Sequence, residues 1–134
     1  MLCFAVGGGG RTGNLVERWS GSKWLAMSAP IPKGAFGSLE RIACASNSAC
    51  TSIGGYATNS SPSVNFADRW NGSAWEVQSM ANPSAQTYLW DVACPTAITC
   101  TAVGDVETKA YPLGQDLAER WTGTSWMIEP TPNP

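Results

Sequence analysis

The residues of this chain best able to do chemistry are its five cysteines, four of which form two Cys-x5-Cys pairs, Cys44 with Cys50 and Cys94 with Cys100. A thiol can attack a substrate, bind a metal or couple to a second thiol. Attack needs a base to take the proton, and the sequence has no histidine. Structural zinc sites use cysteines two to four residues apart, commonly with histidine, so zinc fits poorly. Coupling fits well. If the first cysteine ends a strand and the second begins the next, directly opposed antiparallel residues stand about 4.5 Å apart, within disulfide reach. Two disulfides are expected here in preference to buried reduced thiols, and with them an oxidising compartment. Cys3 falls on the Cys50 position and has no partner.

Carboxylates come next. Glu17, Asp68 and Glu119 each precede an arginine (Arg18, Arg69, Arg120) within "ERWSGSKW", "DRWNGSAW" and "ERWTGTSW". Acid–base catalysis needs two close carboxylates in unlike surroundings. Three equivalent acids in a repeat suit architecture instead. Gly8-x-Gly10-x-x-Gly13 matches a dinucleotide-binding fingerprint, but "NLVERW" follows it and reads as a strand. Without a helix N-terminus there is no cradle for a pyrophosphate. No catalytic residue, metal site or cofactor motif is assigned.

The elements that position these residues repeat with a fixed frame. Trp19, Trp70 and Trp121 are 51 residues apart, as are Trp24, Trp75 and Trp126, whereas Cys44 and Cys94 are 50 apart. Each full unit offers four short strand candidates: Leu39 to Cys44, Cys50 to Gly54, Phe66 to Trp70, and about five residues from Trp75, with counterparts in the following unit. The first unit lacks the leading strand. Four strands per unit of about 50 residues imply an all-β chain of propeller-type blades. The units are 1–38 (three strands of a blade), 39–88 and 89–134 (full blades). Such an incomplete ring cannot close alone, so the chain reads as a fragment, an open arc, or a piece that assembles with copies of itself through exposed blade faces.

Within each hairpin, Gly21-Ser22, Gly72-Ser73 and Gly123-Thr124 are the central turn residues, with glycine supplying a positive φ. That register sets Trp19 opposite Trp24, Trp70 opposite Trp75 and Trp121 opposite Trp126. Strand alternation puts each acid and its arginine on opposite faces. An ion-pair ladder between neighbouring blades is therefore expected from Glu17, Asp68 and Glu119 to Arg18, Arg69 and Arg120.

The stretch "AVGGGGRTGNLVERWSGSKWLAMSAPIP" resembles a kelch-type propeller blade, and the Cys-x5-Cys plus ERW-x-G-(S/T)-x-W unit resembles repeats of secreted actinobacterial proteins. The resemblance implies propeller blades of a kind that serve both binding proteins and oxidases.

Charge excludes more than it assigns. Eight basic and ten acidic residues leave no basic patch for phosphates, so nucleic acid is not an expected partner. No apolar run could cross a bilayer, and "MLCFAVGGGG" lacks the basic start of a signal peptide. The best functional reading is a non-enzymatic extracellular or cell-surface module that binds a protein or glycan. The alternative is the propeller portion of a larger secreted hydrolase or oxidase with its catalytic residues outside this chain. The loop after the second strand varies most in length, which nominates Arg11, Tyr56, Asn59, Asp105, Glu107, Lys109 and Tyr111. The connections Lys33 to Phe36 and Gln86 to Tyr88 should line the same rim. Trp90 stands where the preceding unit has Glu40, outside the tryptophan pairs, and is the remaining ligand-contact candidate.

Overall fold

A computed structural model describes residues 3–8, 14–32, 36–58, 64–84 and 86–132. Eleven strands form three antiparallel sheets, and no helix occurs among the described residues. The first sheet is β1 (Cys3–Gly8), β2 (Asn14–Trp19) and β3 (Trp24–Met27), in that order. The second is β4 (Phe36–Ser46), β5 (Ala49–Ala57), β6 (Val64–Trp70) and β7 (Trp75–Ser79). The third is β8 (Gln86–Thr96), β9 (Thr99–Glu107), β10 (Gln115–Trp121) and β11 (Trp126–Glu129). Each sheet is a simple meander, with consecutive strands paired antiparallel.

The hairpin registers follow the sequence. Trp19 pairs with Trp24, Trp70 with Trp75 and Trp121 with Trp126, and their rings lie 5.5, 5.7 and 5.9 Å apart. Gly21, Gly72 and Gly123 take φ of 101°, 100° and 96°. The residue before each glycine closes the turn with its side chain. Ser20 Oγ, Asn71 Oδ1 and Thr122 Oγ1 accept the N–H of Lys23, Ala74 and Ser125 at 3.1, 3.0 and 3.3 Å. Only short polar side chains can do this, which explains why Ser, Asn and Thr alternate there.

Both disulfides form, Cys44–Cys50 and Cys94–Cys100, with Cα atoms 3.9 and 4.1 Å apart. They tie β4 to β5 and β8 to β9 at one end. Cys3 is free and exposed. The two bridges agree with an extracellular protein.

Neighbouring sheets bury two cores. One joins Val16, Leu39, Cys50, Phe66, Trp70 and Trp75, with Phe4 of the first sheet set edge-on 5.6 and 5.4 Å from the Trp70 and Trp75 rings. The other joins Ile53, Ala67 and Met80 of the second unit to Leu89, Leu117, Trp121 and Trp126 of the third. In both, the face carrying the acid and the tryptophans packs on the arginine-bearing face of the preceding sheet. Four of the six paired tryptophans are accordingly buried. Trp24 is 43% exposed, because no sheet among the described residues covers the acid-bearing face of the first one.

The expected ion-pair ladder does not form. Asp68 and Glu119 are fully buried, yet neither meets an arginine. Glu119 Oε2 accepts the N–H of Ala81 at 2.9 Å. Arg69 lies level with Trp121 instead, its guanidinium 4.7 Å from the ring centre. It donates to Thr51 Oγ1 at 2.8 Å and to the Ala97 carbonyl at 2.7 Å. The one ion pair among the described residues joins Arg120 to Glu129 within the third sheet, on an open face. The sheets meet with an offset that puts arginine over indole, where cation–π attraction and neutral acceptors replace a carboxylate.

Candidate functional site

The site is built by an irregularity common to both long first strands. β4 shifts register between Leu39 and Arg41, and β8 shifts between Leu89 and Asp91. The extra residues are Glu40 and Trp90, which occupy equivalent places in the two units. A bulge turns one side chain out of the alternation while leaving its neighbours in the core. Leu39 and Leu89 are buried on one side of it, while Trp90 is 57% exposed.

Glycines make the bulges possible. A Cβ at Gly54 would lie 2.0 Å from the Ser38 carbonyl oxygen, and one at Gly104 would lie 1.8 Å from that of Tyr88. Only a residue without a side chain allows β4 and β8 to press so close to β5 and β9.

Trp90 is held in place from two sides. Its ring stacks on Tyr88, with centroids 6.0 Å apart and planes 21° from parallel. Its indole N–H donates to Asp105 Oδ1 on β9. Two adjoining hollows open beside this platform and share Glu40, Gly55 and Tyr88. The smaller, about 160 Å³, reaches Trp90 and Asn65. The larger, about 310 Å³, reaches Tyr56 and Phe36, and Phe36 is 66% exposed. Asn65 spans the junction, its Nδ2 donating to the Thr87 carbonyl at 3.0 Å.

Three of the residues nominated from sequence therefore converge: Tyr56, Trp90 and Asp105. Phe36 and Tyr88, nominated with the connections between units, join them. Glu107, Lys109 and Tyr111 line neither hollow. Lys109 and Tyr111 belong to a loop closed on itself, in which Thr108 and Tyr111 exchange backbone hydrogen bonds of 3.2 and 3.1 Å. Arg11, Asn59 and Lys33 lie outside the described residues. Glu40 was missed as a site residue. Its signal was present, since Leu39 and Ile42 are three apart where a regular strand would space inward residues by two.

Chemically the site offers flat aromatic faces beside hydrogen-bond acceptors, in a shallow open groove. The two carboxyls whose protonation is displaced, Asp68 and Glu119, lie elsewhere, sealed between sheets. Burial raises each to about 7, and hydrogen-bonding neighbours (Asn14 and the Ala81 N–H respectively) offset only part of that rise. Among the described residues no three potential ligands come together to hold a metal ion.

Comparison with known proteins finds no family model, no characterised protein and no solved structure that matches this chain.

Proposed function

We propose that this chain is a non-enzymatic, extracellular binding module built of propeller blades, and that it recognises a glycan at the groove between the bulges of β4 and β8. The radial reading is supported by strand order. The long first strands β4 and β8 lie against each other, while β3, β7 and β11 form the opposite edges of their sheets. Successive sheets also pack through equivalent faces, as blades do.

The observation that carries the ligand class is Trp90. An indole that is more than half exposed costs solvation, yet here it is stacked on Tyr88 and fixed by Asp105. A pre-positioned aromatic face loses little rotamer freedom on binding. Sugar rings present flat C–H faces that stack on such platforms, and their hydroxyls can donate to Glu40 and to the remaining Asp105 oxygen. A catalytic role finds no support, because the acids with raised pKa values are out of reach of any substrate.

A glycan array read with the wild-type chain and with Trp90→Ala tests this. Binding to a subset of glycans, weakened at least tenfold in Trp90→Ala and kept in Trp24→Ala, is the expected result. Equal glycan binding by the wild type and Trp90→Ala, or none by the wild type, would overturn it.

A further inference from the structure

The two outer faces of the described sheets repeat the two halves of an interface that the molecule already makes twice. On the first sheet, Leu15, Trp19, Trp24 and Glu17 stand where Phe66, Trp70, Trp75 and Asp68 stand on the second, and where Leu117, Trp121, Trp126 and Glu119 stand on the third. The covered copies are buried: Phe66 is 1% exposed and Trp75 5%, against 43% for both Leu15 and Trp24. On the third sheet, Val103 stands where Ile53 does on the second. Ile53 is fully buried and Val103 is 44% exposed.

We infer that the third sheet of one copy packs on the first sheet of another, head to tail, repeating the two internal joints. Three correspondences favour this occupant. Arg69 lies over Trp121, and Arg120 is the equivalent arginine; paired with Glu129 in the single copy, it would turn over Trp19 in the joint. Gln78 Oε1 accepts the Trp126 indole N–H at 3.1 Å, and Glu129 occupies the Gln78 position, ready to accept from Trp24. Ile53 and Ala67 share a core with Leu117, Trp121 and Trp126, so Val103 and Ala118 would share one with Leu15, Trp19 and Trp24.

Charge disfavours the symmetric alternatives. Two acid-bearing faces would bring the Glu17 side chains together, and two arginine-bearing faces would leave each Arg120 without an indole to lie over. A head-to-tail joint is heterologous and adds copies until a ring closes or a filament grows. Two features keep it weaker than the internal joints. Among the described residues the first sheet has no counterpart of β4 and β8, and Asp116 takes the place of Asn14, the residue beside Asp68. Asp116 would thus approach Glu17.

Sedimentation velocity on the 134-residue chain, in a Cys3→Ser background that removes the free thiol, tests the inference. Across about 10 µM to about 1 mM, mass should rise from one copy to a ring or filament of two or more. Trp24→Glu and Val103→Glu, each on an outer face, should both be monomeric. Leu15→Glu gives a second acid-face variant, and near-UV circular dichroism checks that each is folded. The decisive sample mixes Trp24→Glu with Val103→Glu. Each keeps one intact face, so the mixture should form a 1:1 dimer and stop there. A chain monomeric throughout, a dimer that Trp24→Glu or Val103→Glu still forms on its own, or a mixture that stays monomeric would each overturn the head-to-tail joint.

Discussion

Glu119 accepts a hydrogen bond from the backbone N–H of Ala81, at 2.9 Å across the joint between the second and third sheets. One joint earlier the place of Ala81 is taken by Pro30, which has no N–H to give. Asp68, the equivalent of Glu119, is fully buried there with no hydrogen bond of ordinary geometry to either oxygen. The Asn14 side chain lies beside it, but Asn14 Nδ2 is donated to the Pro30 carbonyl at 3.0 Å.

Stability should therefore fall as pH rises from about 4 to about 7. Burial lifts Asp68 from 3.8, and Glu119 from 4.5, to about 7 in the folded chain. Between those values the folded state keeps protons that the unfolded state has released, so unfolding gains with pH. The contribution is complete below the unfolded values, lost through the folded ones and flat above them. Thermal melts should give a higher midpoint at pH 5 than at pH 8. Asp68→Asn should flatten the profile and stabilise the chain at pH 8 by about 1–3 kcal/mol, the cost of a buried polar group without partners. Glu119→Gln keeps an acceptor for Ala81 and should also flatten it. A midpoint that climbs from pH 5 to pH 8 contradicts the burial argument.

The paired tryptophans make a second contrast between the joints. Trp126 donates its indole N–H to Gln78, whereas the buried Nε1 of Trp75 has no acceptor, because Met27 occupies the Gln78 position in the first sheet. Exchanging these residues should exchange the energies. Gln78→Met should cost about 1 kcal/mol, and Met27→Gln should return a similar amount, on the usual net scale of one hydrogen bond. Urea titration with unchanged m-values measures both. Destabilisation by both variants would show that side-chain packing outweighs the hydrogen bond at these sites.

Gly104 provides the sharpest test of the bulge geometry. Its missing side chain leaves room for the Tyr88 carbonyl, which would stand 1.8 Å from a Cβ. Gly104→Ala must separate β9 from β8 or reshape the bulge, and should destabilise by about 3 kcal/mol or more, in the upper range for point changes. It should also lose the Trp90–Asp105 hydrogen bond, visible as a shift in tryptophan fluorescence. Gly7→Ala is the control, since a Cβ there meets nothing within 4 Å. Equal stability of the two variants would contradict the close approach.

Much of the architecture was legible because the chain states it more than once. The tryptophan frame gave the hairpins, and the glycine after each Ser, Asn or Thr gave the turns. The cysteine spacing gave both disulfides. The ladder was misread because alternation along a strand tells which face a residue takes, but not how far one sheet slides along the next. That slide set Arg69 against Trp121. Trp24 is exposed although its copies are buried, because repetition alone does not say which copy a neighbouring sheet covers. Half of the groove was legible from Tyr56, Trp90 and Asp105. Glu40 was overlooked because the three-residue step from Leu39 to Ile42 was read as ordinary strand, and an outward bulge residue leaves no other trace.

The paired bulges also separate two kinds of constraint on the sequence. Leu39 and Ile42, or Leu89 and Val92, hold each first strand in its core. The residue thrown outward between them answers to nothing inside. One unit writes glutamate there and the next writes tryptophan, with the surrounding pairing unchanged. Such a position can change its chemistry in every copy without asking the scaffold to refold, so diversity at the rim is insulated from stability.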